Sequence, residues 1–287
     1  MKVYVDPLPV SLSRAMYRVA NALKKYAPAG IDIVEDVKKA DLQILHTIGF
    51  GVLRFLEAPR YAVIQYCFKS ANTKNQKNLE QYWFDLLWNK SYFTWSYYKF
   101  NLPSFYYAPL GIDEDFLDRK NFIRTNGVIT SGYVSLPGQE AIEEVAIAAN
   151  DAGITTIHIG PNKPQGMKTF PPSWSNKFNI SDKELATLYN QSRWVSGLRY
   201  IEGFELPVIE GLACGARPIV FDRPEMRSWF DGHAVFIPEC SGNELIERLI
   251  EIFSSEPEPI TEEERKVIIE KFNWEKIIKG FWKGMSE

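Results

Sequence analysis

Cysteine is scarce in this sequence: Cys67, Cys214 and Cys240 are the only three in 287 residues. They are far apart and odd in number, so they form neither a disulfide framework nor a metal-ligand pattern, and reduced intracellular thiols are expected. No run of 18 or more apolar residues occurs, so no membrane-spanning helix is expected. The opening Met1-Lys2-Val3-Tyr4-Val5-Asp6 alternates like a strand and lacks the apolar core of a signal peptide. Histidine is equally rare. No His/Asp/Glu cluster has metal-ligand spacing, and no Asp-x-Asp lies in a suitable place. We therefore expect no metal and no cofactor.

What is present describes an ordinary globular chain, 45% apolar and 24% charged. The net charge of −3 is unevenly divided. Residues 1–112 hold 14 Lys and Arg against 8 Asp and Glu, while the remainder holds 19 against 28. A basic first part suits an anionic partner, nucleic acid or a membrane surface, although a solvated surface gives the same count. The location expected is cytoplasmic, or peripheral at a membrane.

Short β-rich runs alternate with amphipathic helical patterns, the order expected of parallel sheets with helices on both faces. Strands are expected at 2–5, 31–34, 42–45, 61–65, 92–95, 127–131, 155–159, 194–197, 217–221 and 234–237. Helices are expected from residue 12 with Ser11 as cap, and over 76–89, 139–152, 182–191, 207–214, 243–253, 262–271 and 274–283. Ser181 with Glu184 has the form of a capping box. Pro207 and Gly215 bracket a short helix. The pattern breaks and restarts near residue 113. We read an N-terminal domain over 1–112, a second over 113–271, and a last helix over 272–287 that packs back toward the first domain.

The segment Glu202-Gly203-Phe204-Glu205-Leu206-Pro207-Val208-Ile209-Glu210 concentrates the chemistry. A strand ends, a loop carries a glutamate, and a helix opens at Pro207. A helix N-terminus has backbone N–H groups without helical partners and a partial positive charge, suited to phosphate. Gly203 admits close approach of a ligand. Glu202 and Glu210 could accept hydrogen bonds from sugar hydroxyls, with Glu210 placed in the first turn. Glu210 could equally be a residue that the helix dipole stabilises.

This stretch resembles family 4 of the retaining glycosyltransferases, the glycosyl transferases group 1. Their mark is two glutamates separated by seven residues. The run Gly211-Leu212-Ala213-Cys214-Gly215-Ala216-Arg217-Pro218-Ile219 is similar to the one that follows in that family. So are Pro109-Leu110-Gly111-Ile112-Asp113 with Phe116, Asp182-Lys183-Glu184-Leu185 with Tyr189, and Phe272-Asn273-Trp274-Glu275, in the family's order. The resemblance implies an α/β fold of GT-B architecture, two Rossmann-like domains facing across a cleft, here with a shortened first domain. It implies transfer of a sugar from a UDP- or GDP-linked donor with retention at the anomeric carbon. Glu202 would meet the transferred sugar and Glu210 the ribose. Gly203, Phe204, Glu205 and Leu206 would line the donor. Family members typically need no metal, because helix dipoles and basic side chains stabilise the leaving diphosphate.

The departures matter as much. The family's Arg and Lys for the diphosphate have no counterpart in Ser131-Gly132-Tyr133-Val134-Ser135-Leu136-Pro137-Gly138-Gln139-Glu140. Gly132 could still offer backbone N–H, and Arg199 and Lys163 are the candidate cations, although a structural salt bridge is the commoner use of an arginine such as Arg199. Glu205 stands where glycine is commoner. The family's N-terminal glycine pair is missing, leaving Ser13 and Arg14 as acceptor-site candidates. His46, after a strand, could orient a hydroxyl, assist a proton, or be structural. His158 is expected to be buried and satisfied, and His233 solvent-facing. Residues 61–107 are crowded with aromatics interleaved with lysines. Lys69, Lys74 and Lys77 sit in a polar stretch expected to meet the acceptor. That acceptor would be a polysaccharide, a lipid-linked sugar or a modified DNA base. The alternative is a non-catalytic nucleotide- or sugar-binding protein, favoured by the missing Arg and Lys.

Overall fold

The computed structural model describes residues 1–7, 14–48, 51–52, 57–67, 90–99, 101–118, 123–132, 140–160, 171–200 and 204–287. The chain divides into two compact units. One comprises Met1–Gly111, Ile201–Phe204 and Asn273–Glu287, the other Ile112–Tyr200 and Glu205–Phe272.

The first unit is built on β1 (Lys2–Val5), β2 (Asp32–Ile33), β3 (Leu42–Ile48), β4 (Gly51–Val52), β5 (Tyr61–Cys67), β6 (Phe93–Ser96) and β7 (Phe105–Tyr107). Six strands run parallel in the order β2-β1-β3-β5-β6-β7, and β4 pairs antiparallel with β3. Near-continuous apolar strands such as Leu42, Ile44 and Leu45 suit a sheet covered on both faces. Helix α1 (Arg14–Lys25) buries Met16, Val19, Ala20 and Leu23 and ends on Lys24 and Lys25, which suit the negative pole of its dipole. The expected cap Ser11 and the expected helix over 76–89 lie outside the described residues.

The second unit is a parallel sheet in the order β10-β9-β8-β11-β12-β13. Its strands are β8 (Asn126–Ser131), β9 (Thr156–Ile159), β10 (Trp174–Lys177), β11 (Ser192–Gly197), β12 (Arg217–Phe221) and β13 (Val235–Ile237). Its helices are α2 (Ile142–Asp151), α3 (Asp182–Gln191), α4 (Leu206–Cys214), α5 (Pro224–Phe230), α6 (Asn243–Phe253) and α7 (Glu262–Lys271). Val128, Ala149, Trp194, Ile219, Phe221, Leu245 and Leu249 form one buried layer between α2, α6 and the sheet. The expected capping box is present: Ser181 Oγ accepts from Glu184 N at 3.2 Å, and the Glu184 carboxylate accepts from Ser181 N at 2.7 Å. Gly215 closes α4 with φ 96°.

The last helix, α8 (Trp274–Ser286), belongs to the first unit. Its Phe281 ring lies 5.5 Å from Phe93 and 5.6 Å from Trp95, and the Ile277 carbonyl accepts from Tyr106 Oη at 2.8 Å. Among the described strands and α-helices, four were not anticipated: β4, β7, β10 and α5. One placement is corrected. His233 is packed in rather than solvent-facing, with Nδ1 3.1 Å from Glu264 and the ring only 16% exposed.

Candidate functional site

In open parallel sheets, ligands sit beyond the carboxyl ends of the strands where the strand order reverses. In the second unit the first strand is β8, with β9 on one side and β11 on the other, so the reversal lies between β8 and β11. Ser131 and Gly132 leave β8 there, and Leu198, Arg199 and Tyr200 leave β11. Helix α4 starts one turn of chain later. The strand-order reversal and the start of α4 thus meet at the same edge.

Arg199 organises this edge. Its Nη2 donates to the Ser131 carbonyl at 2.7 Å. Its Nε lies 2.9 Å from Glu205 Oε2 and 3.4 Å from Glu140 Oε1. The three side chains are 14%, 1% and 11% exposed, so two carboxylates share one guanidinium with little water to screen them. Gly132 has φ 147°, a backbone conformation that favours glycine, and a Cβ there would meet the Glu140 carboxylate. Glu205 is the N-cap residue of α4 but makes no side-chain cap hydrogen bond.

Behind this cluster, His158 is fully buried in β9, stacked on Trp174 at 5.4 Å, with Nδ1 2.9 Å from Thr130 Oγ1. Its Nε2 has no hydrogen-bond partner among the described residues, so it is only half satisfied. Burial, then the nearby Arg199 charge, lowers its pKa from 6.5 to about 4.

Glu210 is 3% exposed, and it lies in the second turn of α4 rather than the first, because the helix begins at Leu206. Leu206 is buried as the first residue of that helix. Phe204, also buried, packs in the first unit on Tyr97 with ring centroids 5.4 Å apart. Glu202, Gly203, Lys163, Ser13, Lys69, Lys74 and Lys77 lie outside the described residues. Arg14 opens α1.

In the first unit the strand order reverses between β1 and β3. Asp6 follows β1, fully buried, and its Oδ1 accepts from Gln43 Nε2 at 3.0 Å. The strand expected to stop before His46 continues to Ile48, which places His46 inside β3, fully buried. Its Nδ1 lies 2.7 Å from the Tyr66 hydroxyl. Burial lowers its pKa to about 3 and raises that of Tyr66, so both groups are uncharged at neutral pH. A ring this weakly basic takes up a proton poorly. Its state suits hydrogen bonding to a hydroxyl, not proton transfer.

Sequence reading missed Glu140, Tyr66 and Arg223, whose partners are far along the chain. Glu140 stands in the sequence within the stretch that lacks the family's Arg and Lys. Among the described residues no three His, Cys, Asp or Glu side chains form a metal site, and no helix is long and apolar enough to cross a membrane.

The two histidines make acid stability a test of this geometry. Unfolded, each ring takes a proton near pH 6.5; folded, His46 does so only near 3 and His158 near 4. Between these values unfolding binds protons. Stability is therefore full above 6.5 and falls as pH drops, by about 1.4 kcal/mol per pH unit per ring. Urea midpoints from pH 7 to 4.5 should fall less steeply in His46→Gln and His158→Gln than in the parent. Parallel slopes would show that the rings are not held neutral.

No protein-family model matches the chain, and no curated protein matches it. Solved structures do. AviGT4, a glycosyltransferase involved in avilamycin A biosynthesis, superposes with a TM-score of 0.67 at 12% identity, over 99% of this chain and 97% of its own. TarM gives 0.62 at 13% identity, over 94% of this chain and 58% of its own. The pneumococcal O-GlcNAc transferase GtfA, solved with UDP and GlcNAc, gives 0.61 at 15% identity, over 95% and 60%. This chain thus spans well under two thirds of TarM and GtfA. Its two parallel α/β units have the fold of GT-B glycosyltransferases.

Proposed function

We propose that the chain is a retaining glycosyltransferase that moves a sugar from a nucleoside diphosphate to an acceptor hydroxyl, without a metal. The observation that carries this is that α4, the helix that holds Glu210, opens beside the strand-order reversal of the second sheet, with its N-cap Glu205 2.9 Å from Arg199 beyond the end of β11. The fold shared with glycosyltransferases supports it, as does the UDP held by GtfA. In this reading Glu210 holds the ribose hydroxyls. Backbone N–H groups at Gly132 and at the start of α4 meet the phosphates. Arg199 supplies the positive charge once the diphosphate displaces Glu140 or Glu205 from it, with Lys163 as a second cation. Glu205 shapes the choice of sugar. His46 orients a hydroxyl in its neutral state. Ser13, Arg14, Lys69 and Lys74 face the acceptor, whose anionic character the basic first 112 residues favour.

A second reading, a nucleotide-binding protein without catalysis, is favoured by Arg199 already facing two carboxylates.

The test is calorimetry with UDP and GDP, followed by turnover of their sugar conjugates with EDTA present. Glu210→Ala should weaken nucleoside diphosphate binding by about 10- to 100-fold, since a charge-assisted hydrogen bond contributes about 1.5–3 kcal/mol. Turnover should survive EDTA. Equal affinity in parent and variant removes the ribose role. Binding without turnover selects the second reading, and activity restored only by Mg²⁺ or Mn²⁺ removes the metal-free one.

A further inference from the structure

Arg223 lies just beyond the end of β12 and is 4% exposed, deeper than any need for solubility explains. Its Nη1 donates to the carbonyl of Arg199 at 2.9 Å and its Nη2 to the carbonyl of Tyr200 at 3.2 Å. Its Nε donates to Glu239 Oε2 at 2.7 Å, and its guanidinium lies 5.2 Å from the Phe221 ring. One planar fork therefore grips two successive peptide carbonyls while a carboxylate and an aromatic ring fix the fork.

The gripped stretch is held on its other flank too. Ala141 N donates to the Leu198 carbonyl at 3.0 Å, and Glu140 and Arg199 form an isolated antiparallel bridge. The Tyr200 ring lies 5.0 Å from Phe221, and its hydroxyl donates to the Cys240 carbonyl at 3.1 Å. Backbone carbonyls leaving a strand normally find water or a neighbouring strand. Here they take a buried cation from the next strand, and the chain that follows at once is Ile201-Glu202-Gly203.

We propose that Arg223 is a positioning residue for the transfer reaction: it acts on Glu202 by holding the carbonyls of Arg199 and Tyr200, the described residues that lead into it along the chain. This role rests on the reading of Glu202 as the residue that meets the transferred sugar. Arg223 itself touches no substrate. Lysine at this position keeps the charge but has a single nitrogen in place of the fork, so it cannot hold two carbonyls and Glu239 in the same plane. Displacing a reacting group by about 1 Å costs on the order of 100-fold in rate.

The experiment compares the parent with Arg223→Lys and Arg223→Met by two measurements. Hydrogen exchange reads the anchoring, and kinetics with calorimetry read its consequence. We expect faster exchange confined to the peptide spanning residues 198–206. With it we expect kcat to fall by about 100-fold while UDP affinity stays within about twofold. Unchanged exchange in that peptide overturns the proposal. Faster exchange with unchanged kcat overturns it too, as does a kcat loss matched by an equal loss of UDP affinity and melting temperature, which marks a merely structural residue. If the parent turns over no nucleotide sugar, the transferase reading fails by itself. The exchange comparison still decides whether Arg223 anchors the segment.

Discussion

Glu202→Gln should lower turnover by on the order of 100- to 1000-fold while leaving the melting temperature and UDP affinity close to those of the parent. In the proposed transfer, positive charge would grow at the anomeric carbon as the diphosphate departs, and a carboxylate there would stabilise the transition state more than the ground state. Glutamine keeps the shape and most hydrogen bonds but not the charge. The loss should therefore fall on kcat. The chain on either side is well anchored, with Tyr200 tied to Arg223 and Phe204 buried at 3% exposure. A neutral replacement between them should not loosen the fold. Steady-state kinetics beside a melting curve decide the matter. Unchanged turnover at an unchanged melting temperature removes Glu202 from the mechanism.

The largest effect on stability is expected away from that edge, at Arg217. Its guanidinium donates to the carbonyls of His233, Glu258 and Pro259 at 3.0–3.3 Å and to both oxygens of Glu264 at 2.7 and 3.2 Å. Arg217→Met leaves the arm in place and strips five acceptors of their donor. Removing one partner of a fully buried pair costs about 3–5 kcal/mol; here the loss should be smaller, about 2–3 kcal/mol, because Glu264 is 17% exposed and keeps His233 Nδ1 at 3.1 Å. Burial by itself would raise the Glu264 pKa, but hydrogen bonds from Arg217 and His233 outweigh it and hold it below 4.5. The stability this contributes is present above pH 4.5 and lost as pH falls through the folded-state value. Urea unfolding should show the parent and Arg217→Met far apart at pH 7 and closer together in acid. A constant gap across that range would mean that the guanidinium acts through the carbonyls alone.

Legibility followed locality. The capping box at Ser181 and the glycine stop at Gly215 are written within a few residues, and both are present. Strand β10 was hidden because Trp174-Ser175-Asn176-Lys177 is half polar, as an edge strand can be. Helix α5 escaped because seven residues hold too little periodicity, although Pro224 opens it as Pro207 lies at the start of α4. The expected strand 42–45 ends before the successive polar residues His46 and Thr47, yet Thr47 buries its hydroxyl by donating to the Ile64 carbonyl at 2.9 Å. The motif at Glu202–Glu210 was legible as pattern. The partners of Arg199 were not, since Glu140 and Glu205 meet it only after two separate strands have been laid side by side. Arg223 was invisible for the same reason.

Helix α8 sits in the unit whose other strands come first in the chain. During synthesis, residues 112–272 leave the ribosome between the two, an interval of roughly 10–30 s at ordinary elongation rates. Throughout it, Phe93, Trp95 and Tyr106 are without the Phe281 ring and Ile277 carbonyl that they meet in the finished fold. The half encoded second can thus complete its sheet while the half encoded first still waits for its closing piece. A released chain truncated after residue 272 should resist protease over 112–200 and 205–272 and be cut within 1–111.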